Sequence, residues 1–260
     1  MKKVLAAAVV AASLPQAASA LPLVDFYAGG YYWDQAVSGD VGAGSAIADL
    51  EDDLNLDAGG QNVLYFAFEH PVPVIPNVKM KMTDMSSDGN GSLTTSLNIG
   101  GTTITGTPTV ASELDFSHTD YTLYWGLPLP IVTFDFGLTL RQFDGSVSVV
   151  TTSGPSQTAS ADLDVVVPMG YLKAGVDIPL TGVSIGADMN VISYGDTGIT
   201  DLDINVNYVL PVIPVLDVGI TAGYRSFDLE VNPEDFGGSS DDLTAKAKVA
   251  GPYLGLSLHL

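Results

Sequence analysis

Val132-Thr133-Phe134-Asp135-Phe136-Gly137-Leu138-Thr139-Leu140-Arg141 places an apolar side chain at every second position, with small or polar residues between. Period-2 alternation is the mark of a β-strand with one apolar and one polar face. The run also has the length, about 9–11 residues, that a tilted strand needs to cross a bilayer. The pattern recurs. Leu202, Ile204, Val206, Tyr208 and Leu210 alternate with Asp201, Asp203, Asn205 and Asn207, and Val183, Ile185, Ala187, Met189 and Val191 alternate with Ser184, Gly186, Asp188 and Asn190. A soluble β-sandwich alternates too, but with a more charged outer face. Here 15% of 260 residues are charged, against roughly 25% in an average soluble protein. Mean hydropathy is +0.29, yet beyond residue 20 no apolar run is long enough for a transmembrane helix. A sheet in lipid must close to satisfy its backbone. The expected fold is all-β: a closed antiparallel transmembrane β-barrel.

Proline placement supplies the topology. Prolines at 71, 73 and 76, at 128 and 130, at 179, and at 211 and 214 each fall between two alternating runs. Proline cannot donate to a strand ladder and pre-sets turn geometry, so these are tight turns. Longer polar stretches at 34–60, 86–112, 144–160 and 231–244, with a short one near 195–199, alternate with them as expected extracellular loops. Ten strands result: 22–33, 61–70, 77–85, 113–126, 131–143, 162–177, 182–194, 200–210, 215–230 and 247–260. Eight or twelve stay open, because residues 41–57 could add a pair. Pro168 and Pro252 call for a bulge or an interrupted strand. The aromatics Phe26, Tyr31, Tyr32, Trp33, Tyr121, Tyr124 and Trp125 lie near strand ends, where interfacial girdles form.

Residues 1–20 read as a cleaved secretory signal peptide, leaving 21–260 as the barrel. Lys2 and Lys3 form a basic n-region, Val4 to Leu14 an apolar h-region, and Ala18-Ser19-Ala20 a cleavage site. The location expected is the cell outer membrane, reached through the periplasm. Net charge is −21, and loss of Lys2 and Lys3 leaves 7 basic against 30 acidic residues, or −23. Such a chain repels nucleic acid. Expected partners are outer-membrane lipid and lipopolysaccharide, the outer-membrane assembly machinery, and divalent cations at acidic loops. Cysteine is absent, and no cofactor is expected.

The final strand, with Leu254, Leu256, Leu258 and Leu260 alternating with Gly255, Ser257 and His259, is similar to the terminal strand of outer-membrane barrels, though it ends on Leu260 instead of an aromatic. The stretch Leu21-Pro22-Leu23-Val24-Asp25-Phe26-Tyr27-Ala28-Gly29-Gly30-Tyr31-Tyr32-Trp33, with Asp49-Leu50-Glu51-Asp52-Asp53-Leu54 and Glu69-His70-Pro71-Val72-Pro73, resembles a family of proteobacterial outer-membrane proteins marked by a Gly-Gly pair in the first strand. That resemblance implies a barrel and its location, with no assigned activity. Gly29-Gly30 has no phosphate-loop context; glycine in a strand marks a bend or close backbone approach.

If the apolar faces meet lipid, alternation aims Glu69, Lys79, Lys81, Asp135, Arg141, Lys173, Asp177, Asp188, Asp203, Asp217 and Arg225 inward. Ten strands leave a modest lumen, in which these charges either pair as a plug or line a narrow cation-preferring water path. Asp49, Glu51, Asp53, Asn55 and Asp57 are weak candidates for hard-cation ligands. Asp53-x-Asn55-x-Asp57 begins like an EF-hand loop, but Ala58 and Leu64 stand where glycine and glutamate belong. Glu234, Asp235, Asp241 and Asp242 crowd the last long loop. His118 shares strand parity with Asp120, near Asp84 and Asp88, and an Asp/His pair at a barrel mouth can activate water. No catalytic set is assigned, and the chain is not expected to be an enzyme. Its expected role is structural or in surface interaction; a channel is the alternative and a hydrolase the third.

Overall fold

In chain order the strands are β1 (Asp25–Asp34), β2 (Ala36–Ala43), β3 (Ala46–Asp49), β4 (Gly60–Glu69), β5 (Asn77–Thr83), β6 (Ser86–Ser92), β7 (Leu97–Ile99), β8 (Thr102–Ile104), β9 (Thr109–Asp115), β10 (His118–Gly126), β11 (Val132–Phe143), β12 (Gly145–Thr151), β13 (Thr158–Leu163), β14 (Val166–Ile178), β15 (Val183–Tyr194), β16 (Thr197–Leu210), β17 (Asp217–Val231) and β18 (Leu243–His259). The computed structural model describes residues 24–43, 46–56, 59–99, 101–127, 129–211, 216–232, 235 and 243–260. The expected signal peptide and Asp57 lie outside these.

Ten strands pair antiparallel in the order β1-β4-β5-β10-β11-β14-β15-β16-β17-β18, and β18 returns to β1 through Tyr27↔His259 to Trp33↔Tyr253. The barrel is therefore closed. Its outer surface is the apolar half of the alternation: Leu64, Phe66, Leu138, Leu140, Ile204 and Leu254 are all exposed. The polar half faces inward.

The stretches expected as loops at 86–112 and 144–160 are largely strands. β5, β10, β11 and β14 each break for one or two residues and continue as β6, β9, β12 and β13, paired in the same order in a four-stranded sheet. Backbone bonds bridge the break, from Phe116 to Met85 and from Asp144 to Ser117. Polarity disguised these strands, because they lie above the apolar belt and have one wet face. On the other side β2 pairs with the upper half of β18, through Ala36↔Ala250 to Ala43↔Leu243, and β3 pairs with β2, so part of 34–60 is strand too. The β7–β8 hairpin lies between, with Leu97, Ile99 and Ile104 fully buried beside Leu50, Leu54, Val110 and Val149. Together they cap one end of the barrel with an apolar core.

The two prolines interrupt neither strand. Pro168 sits opposite Leu140 in an unbroken β11–β14 register, at a point where β14 has not yet met β15. Pro252 falls where β18 leaves β2 at Ala250 and meets β1 at Tyr253. At each site one flank of the strand has no paired residue, the setting in which a missing N–H costs a ladder least. The girdle expectation fails for Tyr31, Trp33 and Tyr124, which are buried inside the barrel; Phe26, Tyr32 and Tyr121 face out. Alternation separates Tyr32 from its two neighbours.

Candidate functional site

The register builds the interior. Asp135, Lys173, Asp188, Asp203 and Arg225 lie directly opposite one another across β11, β14, β15, β16 and β17. A second line runs Gly29, Tyr65, Lys81, Asp120, Arg141 across β1, β4, β5, β10 and β11. Because barrel strands tilt, such lines climb the wall and bring charges from different strands into one layer.

The charges of that layer are paired and buried across the barrel interior. Arg141 donates to Asp120 from Nε at 2.7 Å and Nη2 at 2.8 Å, and its Nη2 also reaches Asp201. Arg225 donates to Asp201 from Nε at 2.8 Å and Nη2 at 2.7 Å, and from Nη1 to Thr83 at 3.1 Å. Lys81 stands 3.9 Å from Asp120 and 3.8 Å from Asp201. Both guanidiniums are 0% exposed. Bidentate guanidinium–carboxylate geometry is the arrangement that best offsets the desolvation of buried charge. Trp33 lies under Arg225, 4.7 Å from the guanidinium, and its indole N–H donates to the Gly251 carbonyl at 3.1 Å. Arg141 lies 5.6 Å from the Phe227 ring and 6.0 Å from Phe143. These rings join the charged layer to the cap core above.

His118 is part of the same layer. Its partners are neither Asp84 nor Asp88: Nδ1 is 2.8 Å from the Phe116 carbonyl and Nε2 is 3.4 Å from Arg225 Nη2. A carbonyl only accepts, so Nδ1 carries the proton and Nε2 accepts from Arg225. With both nitrogens engaged and the ring buried, no lone pair is free to activate water. His118, Asp120 and Asp201 bring one ligand atom each within 4.8 Å, the spacing of a metal site. Lys81, Arg141 and Arg225 already occupy those carboxylates, so an added cation would meet three positive charges.

Below the layer lies a cavity of about 560 Å³ lined by Tyr27, Tyr31, Tyr65, Tyr124, Tyr171 and Tyr253 together with Glu69, Lys79, Asp135, Lys173, Asp177, Asp188, Asp203, Asp217 and His259. Asp217 and His259 are its exposed rim, at the end where β1 begins and β18 ends. Lys79 pairs with Asp188 at 3.0 Å, Lys173 stands 3.9 Å from Asp135, and Tyr124 donates to Glu69 at 2.7 Å. Tyr253 and Tyr31 donate to Asp203. Gly29 makes room for one wall, since a Cβ there would fall 2.3 Å from the Tyr65 hydroxyl. The close approach is across strands, to a side chain.

Of the acidic-loop candidates, Asp49 Oδ1 accepts the Glu51 and Asp52 N–H groups at 2.8 Å, and Asp53 Oδ2 accepts the Asp49 N–H at 3.0 Å. These carboxylates cap a turn, which Asn55 leaves with φ 50°. Sequence reasoning left Asp201 out of the inward charges, although it shares the parity of Asp203. It also gave Asp120 to His118, whereas the guanidinium of Arg141 takes it.

No family model matches the chain, and no curated sequence matches it. Among solved structures it is similar to the Pseudomonas putida toluene transporter TodX, with 8% identity over 95% of this chain and 92% of that one and a TM-score of 0.30. Ail, the attachment invasion locus protein of Yersinia pestis, solved with the heparin analogue sucrose octasulfate, gives 11% identity over 92% and 99%, TM-score 0.31. A Pseudomonas aeruginosa FadL homologue gives 10% over 92% and 90%, TM-score 0.32. Likeness this distant carries no function. The class is defined by the strand pairing itself: a closed ten-stranded antiparallel barrel with a buried charged layer inside and a β-structured cap at one end.

Proposed function

We propose that the chain is an integral outer-membrane protein, exported through the periplasm, whose barrel is sealed and whose cap is its working surface, in a structural or surface-interaction role. The observation that carries this reading is the layer of Arg141, Arg225, Asp120, Asp201, Trp33, Phe143 and Phe227, all essentially inaccessible, between the cavity and the cap. Membrane placement is supported by the exposed apolar face, since monomeric soluble proteins rarely leave patches above a few hundred Å² uncovered. The short turns, the start of β1 and the end of β18 then face the periplasm and the cap faces outward. Exposed Glu51 and Asp52 on the cap suit divalent cations shared with lipopolysaccharide phosphates. The amphipathic β18 is the segment the assembly machinery would engage.

A narrow cation-preferring channel, the second reading, requires a water path through the charged layer. Cap exposure is the first test. A cysteine placed at exposed Thr103 in β8 should react with a membrane-impermeant maleimide on intact cells. One at Leu180, in the β14–β15 turn, should stay unlabelled until the envelope is opened. The reverse pattern would overturn the orientation.

A further inference from the structure

The hairpin turns opposite the cap carry side chains that aqueous turns seldom carry. Val74 and Ile75 in the β4–β5 turn, Leu129 and Ile131 in the β10–β11 turn, and Leu180 in the β14–β15 turn all project outward and exposed. The sequence Pro73-Val74-Ile75-Pro76 recurs as Pro211-Val212-Ile213-Pro214 between β16 and β17. Ile131 and Leu180 also hold φ of 60° and 67°, a left-handed conformation normally given to Gly or Asn and an outlier for a β-branched residue. In water such residues are unfavourable twice over, through backbone strain and exposed apolar area.

We infer that the β4–β5, β10–β11 and β14–β15 turns form an apolar collar inserted in the periplasmic leaflet, so that the barrel end opposite the cap sits within lipid instead of standing in the periplasm. The inference rests on the membrane placement proposed above. Belt height supports it. On β11 the outward residues run from Val132 to Leu140, bounded above by exposed Gln142. Eight residue steps of about 3.3 Å, at a tilt of about 40°, give roughly 20 Å along the bilayer normal, against the apolar band of about 25 Å such barrels present. On β4 the outward apolar residues are Leu64, Phe66 and Phe68, with exposed Asn62 above them, about 13 Å along the strand against about 26 Å on β11. The shorter belt is followed by the longer turn, 70–76, which supplies the missing height. That turn is held in shape by His70, whose Nε2 donates to the Pro76 carbonyl at 3.2 Å while Nδ1 accepts the Val72 N–H at 3.2 Å. A protein partner would be met by a polar rim around an apolar centre. Residues 71–76 and 127–131 have no polar side chain, Leu180 continues the outward row of Ile178, and exposed Ile131 adjoins the foot of the row that begins at Val132.

The chain has no native cysteine, so single cysteines report depth cleanly. Val74→Cys, Leu180→Cys, Leu138→Cys (belt) and Thr103→Cys (cap) are made in residues 21–260. Each is labelled with the fluorophore NBD and folded into phosphatidylcholine vesicles, with folding checked by heat-modifiable gel mobility. Labels at 74 and 180 should be blue-shifted and quenched by headgroup-nitroxide lipid at least threefold more than the label at 103. Water-like emission at 74 and 180 with a lipid-like signal at 138 would overturn the collar and leave the membrane barrel standing. Water-like emission at 138 as well would overturn both.

Discussion

Asp201→Asn removes one charge from a layer in which Asp201 accepts hydrogen bonds from both Arg141 and Arg225 and sits 3.8 Å from Lys81. Three cations then face Asp120 alone. Arg141 keeps its bidentate bonds to Asp120, whereas Arg225 keeps only neutral partners, Thr83 at 3.1 Å and Tyr31 at 3.4 Å, besides the His118 contact. Removing one partner of a buried pair costs about 3–5 kcal/mol, because the remaining charge is left uncompensated. The internal control is Asp228→Asn, which breaks a pair with Lys248 at 3.4 Å whose side chains are 47% and 54% exposed. Exposed pairs are worth about 0–1 kcal/mol. Urea unfolding in detergent micelles, followed by fluorescence from Trp33 beside Arg225, measures both variants. The double variant Asp201→Leu/Arg225→Met should recover most of the loss, since an apolar replacement leaves no orphan charge. An Asp201→Asn loss no larger than that of Asp228→Asn would refute the charged layer as a structural element.

Trp33→Ala removes a fully buried indole, its contact with Arg225 and its hydrogen bond to Gly251; a urea titration read through the remaining Trp125 should show a loss of about 3–5 kcal/mol. Gly29→Ala puts a methyl group into the Tyr65 ring, and overpacking of this kind costs about 1–3 kcal/mol, read as a shift in unfolding midpoint. Phe136→Arg, at the middle of the outward row of β11 and 42% exposed, should destabilise the barrel in vesicles by about 2–4 kcal/mol. In a soluble barrel the same exposed change would sit within about 0.5 kcal/mol of wild type, so folding equilibria in lipid separate the two cases.

The ten barrel strands were legible because each turns an apolar face outward and a polar face inward, and a closed sheet enforces that contrast residue by residue. All ten expected segments match barrel strands, displaced by a few residues at their ends. The same contrast hid β6, β9, β12 and β13, whose exposed faces are polar and whose apolar core residues, Val110 and Val149 among them, are too few to mark a strand from sequence. Alternation also shows which way Arg141 or Asp203 points, but not what it meets. Asp120 faces Arg141 across one ladder, while Asp201 reaches Arg141 across the lumen, sixty positions away. That meeting depends on tilt and register, which no single strand encodes. The aromatics divided by parity, so Trp33 went inward to Arg225 and Tyr32 outward, a distinction available from alternation once the first strand is set in phase.

Single-channel recording tests the sealed barrel most directly. Residues 21–260 are folded into planar bilayers under a salt gradient, with insertion verified by heat-modifiable mobility. The charged layer predicts a silent bilayer. Discrete current steps with a cation-selective reversal potential would mean that water and ions pass the Arg141–Asp201–Arg225 layer, and would contradict the account at its centre.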